Sequence, residues 1–190
     1  MGIRSFLAFS LPDEIRTVVE RVHGNLKDAS RDVKWVRPAS VHLTMVFLGN
    51  VEEEAIFDLS HVVRKTCAGF APFSLAVKGA GFFPNPRRPR VIWLGLDGDV
   101  ERMGLLRDRL QDALEPFGID PERRPFKAHL TLGRFRKGGF MDDRLAGAME
   151  ECAEAESPEC NLSELVLYKS DLRRTGAVYT VLERFPLKGG

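Results

Sequence analysis

The tetrapeptide His-Leu-Thr-(Met/Leu) occurs twice in the chain, as His42-Leu43-Thr44-Met45 within SVHLTMVFLG and as His129-Leu130-Thr131-Leu132 within KAHLTLGRFR. Each copy sits on a short apolar stretch rich in β-formers. Strand alternation sends His and Thr to one face and the intervening Leu to the other. The copies are 87 residues apart, 129 minus 42, and the same offset relates other strand-like runs. Phe6-Leu7-Ala8-Phe9 maps on Trp93-Leu94-Gly95-Leu96, and Phe73-Ser74-Leu75 on Cys160-Asn161-Leu162. A constant offset of this kind demands a duplicated fold. A single His on a strand is most often structural; two copies in a duplicated frame could line one cleft from opposite sides.

Each half reads in the same order: apolar strand, amphipathic helix, His-x-Thr strand, second helix, further strands. Helices are expected from Pro12 to about Lys27, from about Glu52 to Lys65 and from about Val100 to Leu114, each keeping an apolar stripe at helical spacing, and from about Asp142 to Cys152. Strands are expected over Ile3 to Ser10, Val41 to Leu48, Phe73 to Lys78, Val91 to Leu96, His129 to Phe135, Glu164 to Lys169 and Val178 to Phe185. This mixture predicts an α+β fold rather than a doubly wound parallel sheet. At 190 residues and 44% hydrophobic content, the chain is read as one bilobal domain with an internal pseudo-twofold repeat, approximately 1–88 and 89–190.

Further features narrow the class. No apolar run approaches the roughly 18 residues of a membrane span, and FLAFSL is too short for a signal peptide's apolar region. Cys67, Cys152 and Cys160 are an odd set without Cys-x-x-Cys spacing, which argues against a disulfide framework or zinc knuckle and fits a reducing cytoplasm. His23 and His61 fall within predicted helices without catalytic company and read as surface or cap residues. The net charge is only +1, so bulk electrostatics do not imply a long polyanion. The basic residues are nevertheless clustered: Arg87, Arg88 and Arg90; Arg123, Arg124 and Lys127; Arg134, Arg136 and Lys137; Arg173 and Arg174. The segment Gly79 to Arg90 is read as an extended loop held open by three prolines, with Phe82 and Phe83 as base-stacking faces and its arginines as phosphate partners.

Paired His-x-Thr motifs, with WVRPASVHLT and FLG around the first, FKAHLTLGR around the second and FPNPRRPRVIWLGL between them, resemble the two-histidine phosphoesterases. Within that superfamily the chain is most similar to the RNA 2′,3′-cyclic phosphodiesterases, also called 2′-5′ RNA ligases, over Arg4 to about Leu187. Met45 replaces the family's usual Leu. The resemblance implies a duplicated fold of two antiparallel-type sheets, with helices on the outer faces and both histidines in a central cleft. It also implies hydrolysis of RNA cyclic phosphate ends without cofactor or metal. His42 would be the proton donor to the leaving 3′-oxygen, His129 the acceptor from water, and Thr44, Thr131 and Arg134 the phosphate contacts.

The residues themselves satisfy the chemistry. Opening a cyclic phosphate needs a base, an acid opposite it and donors for the non-bridging oxygens. They do not say which histidine plays which part. Arg134 lies five residues beyond His129, so it shares the motif's face only if a twist or bulge intervenes at Gly133. A metal hydrolase is disfavoured because the histidines lack a carboxylate or third histidine at ligand spacing. The alternatives are a ligase joining cyclic phosphate and 5′-hydroxyl ends through the same residues, and a non-catalytic RNA-end binding module. The expected partner is RNA with cyclic phosphate ends, tRNA fragments among the possibilities, met by a cytoplasmic monomer.

Overall fold

The computed structural model describes residues 2–173 and 176–189. Among the described residues nine strands and four α-helices follow one another as β1 (Gly2–Phe9), α1 (Asp13–Leu26), β2 (Val33–Trp35), β3 (Leu43–Glu52), α2 (Ile56–Ala68), β4 (Phe73–Phe83), β5 (Val91–Gly98), α3 (Val100–Leu114), β6 (His129–Phe135), α4 (Asp143–Glu151), β7 (Cys160–Leu162), β8 (Glu164–Arg173) and β9 (Gly176–Pro186). They build two antiparallel sheets, of order β3-β1-β8-β9 and β2-β6-β5-β4-β7.

The helices follow from their stripes. In α1, Ile15, Val18, Val19, Val22 and Leu26 are buried, and Asp13 and Glu14 occupy the first turn, where carboxylates suit the helix dipole. Asp142 caps α4 by accepting a bond from the Leu145 amide at 2.9 Å. The second helix begins later than the sequence suggests, because Glu53–Ala55 form a short 3₁₀ turn first. Leu43, Leu130 and Leu132, the inward residues of the two motif strands, are essentially inaccessible and share one core with the apolar faces of the helices. Burying a leucine contributes about 1.5–3 kcal/mol, so these residues pin the register that turns each His and Thr outward.

Strand pairing obeys the duplication. Leu7 of β1 faces Leu167 of β8, and Leu94 of β5 faces Ala80 of β4. Adding 87 to residue 7 gives 94, and adding 87 to residue 80 gives 167. Each half donates two strands to the sheet that carries the other half's motif, β8 and β9 to that of β3 and β2 and β4 to that of β6, so neither sheet belongs to one half alone. Two expectations are corrected. Gly79–Phe83 are not loop but the second half of β4, paired with β5 as far as Phe83–Val91, so only 84–90 connect the strands. The short strand β2 has no counterpart in the sequence reading. All three cysteines are buried and free, and burial pushes the Cys67 thiol up to about 12. Among the described residues no helix is long and apolar enough to cross a membrane.

Candidate active site

His42 immediately precedes β3 and His129 opens β6. In both, ring Nδ1 meets the backbone carbonyl two residues earlier, Ser40 O at 2.9 Å and Lys127 O at 2.7 Å. A carbonyl only accepts, so each Nδ1 carries the proton in this bond and Nε2 is left free. Burial lowers both pKa values. The carbonyl bonds pull the other way, and at His129 the charge of Arg134 lowers the value further.

The surroundings of the two rings differ. His42 stacks on Phe6 with centroids 4.7 Å apart and takes the edge of Tyr179 at 5.1 Å, with Tyr168 stacked on Phe6 at 5.3 Å and 6.4 Å from His42. His129 meets Phe83 edge to face at 4.9 Å, and Phe83 lies 5.0 Å from Trp93. The offset of 87 equates Phe6 with Trp93 and Tyr168 with Gly81. A Cβ at Gly81 would come within 2.5 Å of the Trp93 ring, so the indole occupies the space that Tyr168 fills in the first half.

One cleft of about 300 Å³ is lined by His42 and Thr44 from the first motif and by Thr131 and Arg134 from the second, together with Arg4, Phe47 and Tyr179. His129 lies two residues before Thr131 on the same strand face. Neither threonine hydroxyl has a protein hydrogen-bond partner among the described residues, so both remain available to a ligand. The cleft position of Arg134 has a local cause. Thr131 pairs with Trp93 but Gly133 pairs with Ile92, so Leu132 is an extra residue in β6. Leu132 and Gly133 both turn inward, and Arg134 returns to the face of Thr131. The bulge spans Leu132 and Gly133, beginning one residue before the glycine singled out in the sequence. β3 repeats it at Met45, between the pairs Ala8–Thr44 and Leu7–Val46. Phe47, 63% exposed, thereby takes the place in the first half that Arg134 takes in the second.

The remaining candidates are more scattered. Phe82 and Phe83 alternate along β4: Phe83 packs by His129, whereas Phe82 packs toward Phe135 against the core, so the two do not form one stacking surface. Arg87, Arg88 and Arg90 are exposed on the 84–90 connection, whose end adjoins β6 through the bond from the Phe135 amide to Arg90 O at 2.9 Å. Arg124 is paired with Glu122. Arg174 lies outside the described residues. His23 is half-buried against Trp35 at 6.1 Å, and His61 is exposed on α2. Among the described residues no group of three His, Cys, Asp or Glu side chains could hold a metal ion.

Some contributors were not visible beforehand. Arg107 of α3, 7% exposed, donates to the carbonyls of Glu122 (3.3 Å) and Arg124 (3.1 Å), and Gln111 accepts from the Glu122 amide at 2.6 Å. They anchor the segment leading to Lys127 and His129. In a sequence, two polar residues on an otherwise inward helix stripe are the only trace of this.

The LigT like phosphoesterase family matches the chain twice, over residues 9–93 and 94–179. An RNA 2′,3′-cyclic phosphodiesterase of Methanothermobacter thermautotrophicus is 38% identical over 187 residues, 98% of this chain and all of that protein. A crystal structure from Thermus thermophilus superposes with a TM-score of 0.81 at 30% identity, covering 98% of this chain and 99% of that one. Escherichia coli LigT complexed with 3′-AMP does so with a TM-score of 0.77 at 26% identity, again over 98% and 99%. Two consecutive copies of the family unit, over almost the whole chain, place this protein in the LigT-like phosphoesterase family.

Proposed function

We propose that the chain hydrolyses 2′,3′-cyclic phosphate ends of RNA to 2′-phosphomonoesters, with His42 as general acid and His129 as general base. The observation that carries this reading is the matched pair of Nδ1-anchored histidines, each followed two residues on by a threonine with a free hydroxyl, the two threonines lining one cleft together with His42 and Arg134. It is supported by the name of the Methanothermobacter relative, an RNA 2′,3′-cyclic phosphodiesterase. The oxygen of water forms a bond to phosphorus as the bond to the ribose 3′-oxygen breaks. His129 Nε2 takes the proton from water and His42 Nε2 supplies one to the 3′-oxygen, so the charge on the enzyme is conserved through the step. Thr44, Thr131 and Arg134 hold the non-bridging oxygens.

The assignment of roles has a physical support. Arg134 disfavours a proton on His129, whereas no cation is among the causes acting on His42. Burial is the largest influence against a proton on either ring, and the Arg134 charge adds to it at His129 alone, which favours His129 as the base. The single domain spanning both halves, RNA ends such as tRNA fragments as substrates, and a monomeric cytoplasmic enzyme complete the reading.

Incubating the protein with a nucleoside 2′,3′-cyclic phosphate in the presence of EDTA, and following the product by phosphorus NMR, tests it. The expected product is the 2′-phosphomonoester at a rate unaffected by the chelator. A 3′-phosphate as main product would reverse the placement of substrate between the histidines. Loss of activity on chelation, restored by a divalent ion, would reject the metal-independent mechanism. Binding without turnover, or joining to a 5′-hydroxyl end in preference to hydrolysis, would favour the alternatives.

A further inference from the structure

Lys34 lies in the three-residue edge strand β2, directly across from Arg134 in the register with β6. Residues opposite one another in an antiparallel pair share a face. Arg134 and Val36 line the cleft, whereas Val33 and Trp35 crowd against Gly133 from the other face. Lys34 is therefore on the cleft side, one strand outward from Arg134, and is exposed at the rim. Like charges opposite each other across a strand pair repel and destabilise it. Among the described residues neither Lys34 nor Arg134 is in an ion pair. Asp32, the nearest acid along the chain, packs beside Gly139 instead.

We infer that Lys34 is a second phosphate contact, which takes the phosphodiester one nucleotide upstream of the reacting cyclic phosphate. The inference rests on the proposed function, because it needs a phosphate at Arg134 from which to measure outward. Lys34 is exposed at the rim, one strand outward from Arg134, so the anion it meets is the next one out from the phosphate that Arg134 holds. Strands lie about 4.7–4.9 Å apart, and a lysine stem extends the reach from the neighbouring strand to the next anion along an extended RNA end. The 84–90 connection, with its three exposed arginines, continues the same strip on the other flank of β6. RNA leaving the cleft over Arg134 then passes between cations on both sides.

The competing role for Lys34 is protection of the β2 edge against pairing with another chain, a common use of edge lysines. Steady-state kinetics on two substrates separates them: a nucleoside 2′,3′-cyclic phosphate with one phosphorus, and a dinucleotide ending in the same cyclic phosphate with two. Lys34→Gln should raise the ratio of dinucleotide to mononucleotide KM about three- to fivefold, the size of one exposed charge contact. It should also lower the slope of log KM against log salt for the dinucleotide by about 0.7. Lys34→Arg should restore both. An unchanged ratio overturns the inference, whether both KM values move together or neither moves. Turnover of the mononucleotide by the wild-type protein checks the underlying function separately. Were that absent, anisotropy with a fluorescent dinucleotide 2′-phosphate would still decide, since equal Kd values for wild type and Lys34→Gln would remove Lys34 from binding.

Discussion

Each motif imidazole is poised by two opposing influences, an apolar or aromatic surround that resists its charge and a carbonyl behind Nδ1 that tolerates it. At both histidines burial prevails, so both pKa values fall below the ordinary 6.5. The profile of kcat/KM reports the free enzyme and requires one ring protonated and the other neutral. Its maximum lies midway between the two values and is therefore expected on the acid side of 6.5. A bound phosphate anion favours the protonated form of any neighbouring imidazole, which raises both values, so the kcat maximum should lie at higher pH than that of kcat/KM. Rates measured from about pH 5 to about pH 9 check this, with apparent values that belong to the coupled pair. A kcat/KM optimum on the alkaline side of the ordinary imidazole value would contradict it. At this scale the sequence was highly informative: the motif names the two histidines and threonines, because a three-residue pattern repeated at a fixed offset survives without knowledge of packing. The partners that tune them were not legible, since Ser40 and Lys127 contribute only carbonyls and Phe6, Tyr168, Tyr179 and Phe83 come from four different strands.

Among the elements, β6 does the most to define the site. Its bulge at Leu132 turns Arg134 into the cleft, and Gly133 beside it lets β2 close against the strand. A Cβ on Gly133 would lie 2.6 Å from Val33 Cγ1, which is buried, and 2.9 Å from the half-buried Trp35 ring. Gly133→Ala is expected to cost about 1–3 kcal/mol of stability and to move Arg134 away from the phosphate, lowering kcat/KM. Urea denaturation combined with kinetics checks both effects; a variant of wild-type stability and activity would show that β2 does not constrain this turn. Alternation made β6 legible from His129 to Phe135 and β5 from its first residue. β2 escaped because Val33-Lys34-Trp35 is too short to establish a period, and the extension of β4 escaped because Gly79, Gly81 and the following prolines carry the composition of a loop. Sequence parity hinted at the β6 bulge only through the family's arginine, while the equivalent bulge at Met45 gave no signal.

Over the whole molecule, the duplicated halves exchange strands, and this exchange makes one site from two motifs. Symmetry sets both histidines in like frames, and its departures distinguish the two sides of the cleft. Phe47 stands where Arg134 would be in the other half, so the equivalent positions carry an apolar ring on β3 and a cation on β6, with Arg4 of β1 a further cation in the lining. Arg87, Arg88 and Arg90 lie on the β6 side. Replacing all three with Ala should raise KM for an oligonucleotide with a cyclic end, and weaken its salt dependence, much more than for a cyclic mononucleotide. Equal effects on both substrates, or none, would make the connection structural. The central claim is that the two histidines act as a single acid and base pair, and it is tested most directly by kcat on one cyclic phosphate for His42→Ala, His129→Ala and the double variant. Each single change should lower kcat by about two to four orders of magnitude, and the double variant should lose far less than the product of the two, while His23→Ala and His61→Ala remain near wild type. Wild-type kcat in either single variant, or losses that multiply in the double, would contradict the account.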